Sequence, residues 1–350
     1  MTTDSGLSEH YILSMLLIFN PDTDYALASG SPFFTPPARV IELRRRMALF
    51  PLTYALPGDS LLLLDTDTTD FTDGKTVFSL TEATAKGVTP VTLSNVAETL
   101  CSMPHPFILP WGWNPSICRL LLEAGVDASL LPDTTQLSEL RRLSHRRLTI
   151  AFNTALQHYV PTLNFELPCE ITSEDEAVNY WHNHKGCYFK SPWSSSGRGI
   201  MATAELEERH IRPWVRGMIR RQGSVLAEPG VKRSLDFASE WICKSGKADF
   251  VGLSVFVTSP RGKYKYNLTE SQPHLHTIIS QVCPAFGPDI IEAQRYGLEQ
   301  LVAPAYTGPL GIDMLTSTEG SLRPCVELNL RLTMGIVTIP TFRTLLLNAN

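Results

Sequence analysis

Residues 325–335 read CVELNLRLTMG, and their alternation decides how the rest of the chain is interpreted. Apolar side chains occupy every second position from 326 to 332, and Glu327, Asn329 and Arg331 lie between them. Successive side chains of a strand point to opposite faces, so this pattern predicts a strand with one apolar face. The other face would carry a carboxylate, an amide and a guanidinium. Such a face is either the solvent side of an edge strand or a surface that binds a ligand.

The composition is that of an ordinary globular protein and argues against several classes. The chain has 350 residues, 43% apolar and 19% charged, which is enough for two or three domains with cores of their own. A net charge of −5 gives no reason to expect a nucleic-acid or membrane partner. The seven cysteines are odd in number and lack a CxxC spacing, which favours reduced thiols in a cytoplasmic protein. No apolar run approaches the roughly 20 residues of a membrane span.

Residues 15–135 are predicted to form a layered α/β domain, and residues 1–14 an N-terminal tail, with Met15 as an alternative start. Alternating strands and helices favour a mostly parallel sheet. Ligands of such sheets bind beyond the carboxyl ends of the strands, where the loops 19–34 and 110–116 fall. The strand candidates are 16–19, 60–65 and 106–111, and the helix candidates are 36–48, 93–102 and 114–124.

The sequence pattern changes near residue 135, where the second domain is predicted to begin. One or two helices with an arginine-rich face are expected within 131–156. A further helix is expected within 160–184, because Ser173 followed by Glu176 forms a capping-box pattern. The remainder favours antiparallel strands at 186–192, 224–231, 235–246, 247–267, 309–317 and 322–332, and a helix at 282–303.

The segment 190–200, KSPWSSSGRGI, places a lysine at a strand end before a Ser/Gly loop. Backbone N–H groups and serine hydroxyls of such a loop can surround phosphate oxygens. Lys190 and Arg198 can add charged hydrogen bonds to the same oxygens. The segment matches neither the Walker A nor the Rossmann glycine pattern. By itself it is also typical of an ordinary connecting loop.

The segment 226–241, LAEPGVKRSLDFASEW, would run a strand into Glu228-Pro229-Gly230. An edge backbone there can contact a flat base, and because proline lacks an N–H the donor would be Val231. Lys232 follows and can reach phosphate. Asp236 and Glu240 are either a surface pair or ligands, and the sequence leaves both open.

The segment 311–315, GIDML, completes the set if its strand pairs with 325–332. Asp313 would then share a face with Glu327 and Asn329. Two carboxylates and an amide oxygen suit a hard cation such as Mg²⁺ and suit zinc poorly. Arg331 could hold phosphate oxygens of the same ligand. An exposed antiparallel face with these residue types remains the alternative.

Taken in order, a lysine with a glycine loop, a Glu-Pro hinge and Asp…Glu-x-Asn-x-Arg resemble the ATP-grasp superfamily. That superfamily includes carboxylate–amine ligases, biotin carboxylase and D-alanine–D-alanine ligase. The resemblance covers about residues 140–340. It implies a mixed α/β and α+β fold, in which a pre-ATP-grasp α/β domain precedes two subdomains with antiparallel sheets. The ATP-grasp domain would span 136–350, divided into about 136–225 and about 226–350.

The resemblance also implies roles for individual residues. Lys190 would contact the nucleotide from a central strand, and the stretch from Glu228 to Val231 would hold the adenine. Arg146 stands where the family often has a lysine. Asp236 would lie near the ribose or the phosphates. The implied nucleotide-binding residues are Arg146, Lys190, Ser194, Ser195, Ser196, Gly197, Arg198, Gly199, Glu228, Pro229, Val231 and Asp236, with 194–199 as a lid. Asp313, Glu327 and Asn329 would bind metal, and Arg331 and Lys232 would act in catalysis.

The implied cofactors are ATP and Mg²⁺, with Mn²⁺ as an alternative metal. A substrate carboxylate would attack the γ-phosphate, and an amine would attack the acyl phosphate to form an amide or peptide bond. The alternatives are a small-molecule kinase of the same fold and a nucleotide-binding regulatory protein without turnover. The expected partners are small carboxylates and amines in the cytoplasm, without nucleic acid or membrane, and a homodimer is left open.

The acceptor side of the reaction is the least determined part. Lys265 and Asn267, or Trp111, Trp113 and Asn114, could contact a substrate, but exposed strand polarity and packing explain them equally well. His274 and His276 lack a third ligand for a metal site. Asp22 and Asp24 are interpreted as turn formers.

Overall fold

The computed structural model describes residues 14–64, 77–194, 199–259 and 264–348. Two compact units are present. Of the described residues, the first contains 14–19, 42–64, 77–110 and 120–131, and the second contains 20–41, 111–119, 132–194, 199–259 and 264–348. The stretches 20–41 and 111–119 therefore group with the later part of the chain. The domain boundaries given above stay a prediction.

The first unit is built on a four-stranded parallel sheet in the order β3-β2-β1-β4. Strands β1 and β2 are buried along their whole length, as expected of apolar runs in a sheet covered on both faces. The predicted parallel α/β layer is confirmed. Its strands are β1 (Met15–Ile18), β2 (Ser60–Leu63), β3 (Thr89–Thr92) and β4 (Phe107–Pro110). Helices α2 (Ala38–Arg46), α3 (Leu80–Ala85), α4 (Val96–Ser102) and α5 (Pro115–Glu123) lie in this part of the sequence.

The second unit contains two sheets, the smaller of which has the order β5-β8-β6-β7 and is antiparallel. Its strands are β5 (Cys169–Ile171), β6 (Tyr188–Lys190), β7 (Ile200–Ala202) and β8 (Val225–Glu228). Helices α8 (Glu174–Asn183) and α9 (Glu208–Gln222) share an apolar core with them. The predicted capping box at Ser173 and Glu176 begins α8.

The larger sheet is antiparallel, with the order β11-β10-β9-β12-β13. Its strands are β9 (Arg233–Lys244), β10 (Lys247–Thr258), β11 (Tyr264–Asn267), β12 (Gly308–Ser317) and β13 (Leu322–Asn329). The mixed fold class expected from the sequence is confirmed. The other helices of this unit are α1 (Thr23–Ser29), α6 (Thr134–Leu143), α7 (Leu148–Tyr159), α10 (Gln272–Val282), α11 (Pro288–Leu301) and α12 (Phe342–Asn348).

One predicted helix boundary is wrong, and the sequence pattern predicts one helix too few. The helix expected at 282–303 begins only at Pro288, because proline favours the first helical turn and Gly287 precedes it in extended backbone. Residues 272–282 form a separate helix that carries His274 and His276. Across the described ranges, no helix is long and apolar enough to cross a lipid bilayer.

Gly297 allows helices α7 and α11 to approach closely. A Cβ atom at this position would lie 2.9 Å from Cε2 of the buried Phe152 and 3.2 Å from Cδ1 of Leu156. Gly217 in α9 is different, because a Cβ there would meet only the flexible end of Arg221 at 3.3 Å.

We expect Gly297→Ala to lower the free energy of unfolding by about 1–3 kcal/mol, because the added methyl overpacks a buried contact. Gly217→Ala is the matched control and should raise the free energy of unfolding by up to about 1 kcal/mol through helix propensity. Urea unfolding of both variants measures the difference. Equal effects of the two substitutions would contradict the close approach at Gly297.

Candidate active site

The pairing of β12 with β13 brings the predicted metal ligands together. Asp313 lies directly opposite Glu327, and Gly311 lies opposite Asn329. Residues opposite each other in an antiparallel pair share a face, and so do residues two apart on one strand. Asp313, Glu327 and Asn329 therefore form one surface, the acidic face. Their binding of a metal stays a prediction.

The chemistry of the acidic face fits a hard cation. Burial raises the pKa of Asp313 well above its ordinary range, and the negative charges of Glu327 and Glu240 raise it further. Two carboxyl groups that repel each other in a buried place are stabilised by a shared cation. Among the described residues no group of three or more His, Cys, Asp and Glu suits a metal, so the donor set is two carboxylates and one amide. These oxygen ligands are of the kind that Mg²⁺ binds.

Asn329 lies between two charged neighbours. Its Oδ1 accepts a hydrogen bond from Nη2 of Arg331 at 3.0 Å, and its side chain also hydrogen-bonds with Asp313. The amide therefore links the carboxylate of one strand to the guanidinium that follows the other. A cation that binds this amide oxygen would use its second lone pair or would displace the guanidinium of Arg331.

Arg146 closes the other side of the acidic face. The residue is only 5% exposed, and its Nη2 donates to Oε1 of Glu327 at 2.5 Å. Its Nη1 donates to the carbonyl of Ser191 at 2.9 Å and to Oγ of Ser194 at 2.7 Å. Arg146 thus connects β13 to the start of the segment predicted as a phosphate lid. Of that segment, Ser195, Ser196, Gly197 and Arg198 lie outside the described residues.

Gly199, at the far end of the predicted lid, has a backbone that favours glycine. Its φ is +71°, and a Cβ atom there would lie 2.1 Å from Oγ of Ser191. The Ser191 N–H donates to the Gly199 carbonyl at 2.8 Å. The two ends of the segment are therefore held together at their base.

Lys190 and Glu228 form an ion pair between two neighbouring strands. Lys190 ends β6, Glu228 ends β8, and Nζ lies 2.5 Å from Oε1. Lys190 is almost fully buried and lies on a central strand of its sheet, as the sequence analysis expected. A phosphate oxygen would therefore bind the ammonium of Lys190 either beside Glu228, through its other N–H groups, or in place of Glu228.

A pocket lies at the predicted hinge and is here called the hinge pocket. Its walls combine apolar side chains with the ends of β8 and β9, which suits a flat base. Cys325, which lines it, is buried, and burial together with Asp313, Glu228 and Glu327 raises its pKa. The hinge pocket therefore lies close to the acidic face. Its lining residues include Phe165, Tyr188, Glu228, Pro229, Val231, Leu315 and Val326.

Two predicted site residues bond to partners outside the acidic face, although Asp236, opposite Leu315, lies on the same side of the sheet as Asp313. Asp236 accepts a hydrogen bond from Thr258 at 2.8 Å and pairs with Arg233 at 3.5 Å. The backbone carbonyl of Lys232 accepts a hydrogen bond from Thr318 at 2.9 Å. Neither side chain bonds to the acidic face within the part of the chain that the structure describes. The roles assigned to Asp236 and Lys232 stay predictions, and the contacts described here give those roles no further support.

Asp24 is a site residue that the sequence analysis missed, and its interpretation as a turn former is wrong. It lies in the first turn of α1, and its carboxylate pairs with Arg331 at 3.1 Å. Burial is the largest effect on Arg331 and lowers the pKa of its guanidinium, but the combined attraction of Asp24, Glu327 and Asp313 raises that pKa above its ordinary value. No local pattern could have found this contact, because the two residues are 307 positions apart.

Glu240 was left open as a surface residue and is instead 1% exposed. Its two oxygens accept hydrogen bonds from Ser254 at 2.8 Å and from Thr333 at 2.7 Å. Burial raises its pKa to about 7. A Cβ atom at Gly335 would lie 2.0 Å from Oε1, so this glycine makes room for the carboxyl group.

The residues named as candidates for an acceptor wall have packing roles. Asn114 accepts hydrogen bonds from the N–H groups of Ser116 and Ile117 at the start of α5. The Trp111 carbonyl accepts a hydrogen bond from the N–H of Leu332 at 2.9 Å. The second contact ties Leu332, next to Arg331, to the backbone of Trp111.

The charges around the acidic face do not balance. Four carboxyl groups, those of Asp24, Glu240, Asp313 and Glu327, interact with the two guanidinium groups of Arg146 and Arg331. If all four carboxyl groups are ionised, two negative charges are uncompensated within this cluster. A divalent cation would neutralise them.

Comparison with known proteins defines the fold. A biotin carboxylase from Campylobacter jejuni, determined as a β,γ-ATP complex, superposes with a TM-score of 0.51 and 9% identity, over 91% of this chain and 66% of that one. A pyruvate carboxylase from Rhizobium etli gives 0.51 and 14%, over 92% of this chain and 26% of that one. Biotin carboxylase has the ATP-grasp fold, so the chain has this fold, as predicted. No model of a known protein family matches the chain.

One curated relative is similar in sequence. It is the [butirosin acyl-carrier protein]–L-glutamate ligase of Niallia circulans, 28% identical over 158 residues. The match covers 44% of this chain and 35% of the length of that ligase.

Glu240 gives the free energy of unfolding a defined dependence on pH. Its pKa of about 7 in the folded protein exceeds the ordinary value of 4.5, so the folded state holds this proton more tightly. The contribution of Glu240 is therefore fully present below pH 4.5 and is lost as the pH rises through 7.

We expect Glu240→Gln to remove this loss. The free energy of unfolding of the variant, relative to that of the unsubstituted protein, should rise by about 2 kcal/mol from about pH 5 to about pH 8. Urea unfolding at both pH values measures the gain, with Glu205→Gln at an exposed position as the control. A constant difference across the two pH values would contradict the burial of an ionisable Glu240.

Proposed function

We propose that the chain is an ATP- and Mg²⁺-dependent ligase that joins a carboxylate to an amine through an acyl phosphate. The observation that carries the proposal is the acidic face, held between the buried Arg146 and the partly exposed Arg331 and lying close to the hinge pocket. Phosphoryl transfer depends mainly on positioning and on compensation of charge, and this arrangement offers both. The ATP-grasp fold and the similarity to a ligase support the same reaction class.

The nucleotide is proposed to lie between the two sheets of the second unit. The hinge pocket would hold the base, with Glu228, Pro229 and Val231 at its edge. Lys190 and Arg146 are buried cations that would contact phosphate oxygens. Because Arg146 also donates to Ser194, it would fix one end of the predicted lid when the nucleotide is bound.

Asp313, Glu327 and Asn329 are the residues that would hold the metal. When bound, Mg²⁺ supplies positive charge against the phosphate oxygens, and Mn²⁺ is the alternative cation with similar oxygen ligands. Arg331 adds a guanidinium two residues beyond Asn329, and we assign it the transferring phosphoryl group. Lys232 stays a candidate for a further phosphate contact.

The proposed reaction has two steps. An oxygen of the substrate carboxylate attacks the γ-phosphorus, the bond to the β,γ-bridging oxygen breaks, and ADP leaves. The amine nitrogen then attacks the acyl carbon and loses a proton, and inorganic phosphate leaves as the amide forms. Water must be kept from the acyl phosphate between the steps, which is the role proposed for the segment 194–199.

The substrates are proposed as a small carboxylate and an amine. The name of the Niallia circulans ligase states that it acts on L-glutamate and an acyl-carrier protein. L-glutamate and other L-amino acids are therefore the first compounds to screen, as either partner of the reaction.

Binding of Mg·ATP is the first prediction. A ligand that binds only the folded protein raises the thermal midpoint by mass action. We expect ATP and its non-hydrolysable analogue to raise the midpoint in the presence of Mg²⁺ and to do so much less in its absence. No shift with any nucleotide at millimolar concentration would refute the proposed function.

The acidic face gives the second prediction. Glu327→Ala and Asn329→Ala should lower phosphate release from Mg·ATP by about 100-fold or more, because the charges of the phosphoryl group lose their partners. The midpoint of the ligand-free protein should stay within a few degrees, and Glu292→Ala at an exposed position is the control. Turnover that equals that of the unsubstituted protein would rule out a metal role for this face.

The acyl phosphate gives the third prediction. Hydroxylamine, added in place of the amine, should trap it as a hydroxamate that depends on carboxylate, ATP and Mg²⁺ together. With an amine present, one phosphate should be released per amide formed. A stable phosphorylated product without hydroxamate would favour a kinase instead.

A further inference from the structure

Arg331, which is proposed to hold the phosphoryl group, is already engaged in this structure. Its Nε donates to both oxygens of Asp24, at 3.2 and 3.1 Å. Its Nη2 lies 3.1 Å from Asp24 and donates to Asn329 at 3.0 Å, and its Nη1 donates to the Leu332 carbonyl at 3.1 Å. A guanidinium has five N–H groups. Within the described residues, one N–H of Nη1 and one of Nη2 have no hydrogen bond, and the latter nitrogen lies beside Asp24.

Asp24 and Arg331 line the same small pocket, here called the Asp24 pocket. Both side chains are largely buried, 18% and 14% exposed. Ser194, where the predicted lid begins, is part of the wall, and so is Glu327 of the acidic face. Thr23, Leu27 and Trp193 complete the surroundings that matter here. The pair therefore lies at the place where the lid segment and the acidic face meet.

The charge of Asp24 opposes the proposed task of Arg331. A phosphate oxygen that approaches the Nε and Nη2 edge of the guanidinium finds that edge already occupied by the Asp24 carboxylate. The phosphate and the Asp24 carboxylate are both negatively charged, so they repel each other when both contact the guanidinium, and the repulsion is strong where water is excluded. Arg331 can therefore bind an anion fully only after Asp24 has found another cation.

We propose that Asp24 is a displaceable counter-ion of Arg331 and the binding residue for a positively charged group, an ammonium, of the acceptor substrate. Arrival of the ammonium at Asp24 releases Arg331 to the phosphoryl group. Phosphoryl transfer then depends on a bound amine-bearing substrate, and hydrolysis of ATP without substrate is suppressed. This inference rests on the proposed function, because it assigns the substrate class of the same site.

The first test measures phosphate release from Mg·ATP without any added substrate. Asp24→Asn keeps the shape of the side chain and removes the competing charge, so release should rise about threefold or more. Asp24→Glu retains the charge and should leave release low. Asp175→Asn is the matched control, since Asp175 also pairs with an arginine, Arg212 at 2.8 Å, but on an exposed surface.

The outcomes separate the alternatives. A gain of activity cannot come from a damaged fold, so a rise in Asp24→Asn supports the proposal directly. If release stays equal or falls while the Mg·ATP shift of the thermal midpoint is kept, Asp24 only positions Arg331, and the proposal is overturned. If the unsubstituted protein shows no Mg·ATP shift at all, the proposed function itself has failed.

The second test compares a charged with an uncharged acceptor. With the L-amino acid that the unsubstituted protein uses as the amine, Asp24→Asn should raise KM for that amine about tenfold and should not raise KM for ATP. Hydroxylamine is largely uncharged at neutral pH, so hydroxamate formation should persist in the variant. Equal losses with both acceptors would show that Asp24 does not bind the ammonium.

Discussion

The antiparallel pairing of β12 with β13 is the constraint on which the site depends. It sets Asp313 directly opposite Glu327, so that two carboxyl groups share one partly buried face. Such a pair is unfavourable by itself, and the raised pKa of Asp313 expresses that cost. The surrounding residues are arranged as partial compensation for this negative charge.

The compensation comes from elements that are distant along the chain. Arg146, just before α7, reaches Glu327, and Arg331 lies between Asn329 and Asp24 of α1. Each arginine also touches a second element, the lid segment through Ser194 or the helix through Asp24. A ligand that binds at the acidic face would therefore change the contacts with Ser194 and with Asp24, since the same guanidinium groups make both sets of contacts.

Two carboxyl groups outside the acidic face also hold neighbouring segments and contribute to the charge of the site. Glu240 lies in the neighbouring strand and is bonded to Thr333, two residues after Arg331. It holds the segment that follows β13 against the sheet and adds to the negative field at Asp313. Glu228 neutralises Lys190 in the same manner at the hinge. The site is therefore built from ion pairs whose partners a charged ligand would exchange.

The sequence by itself determined the parallel sheet, the antiparallel strands and the identity of the acidic face. Those features follow from apolar alternation, which acts between neighbours in the chain and is readable without a structure. The order of three short motifs was enough to indicate the fold. It was not enough to place Asp236 or Lys232, whose proposed roles rest on resemblance.

Only the tertiary structure decided which charges meet. The sequence favours a turn role for Asp24 and leaves Glu240 open between a surface pair and a ligand, because nothing within a few positions of either indicates a partner. The partner of Asp24 lies 307 positions away, and Glu240 is buried by strands and a loop that pack on it from elsewhere. Burial and long-range pairing are properties of the packed chain, and they set the electrostatics of the site.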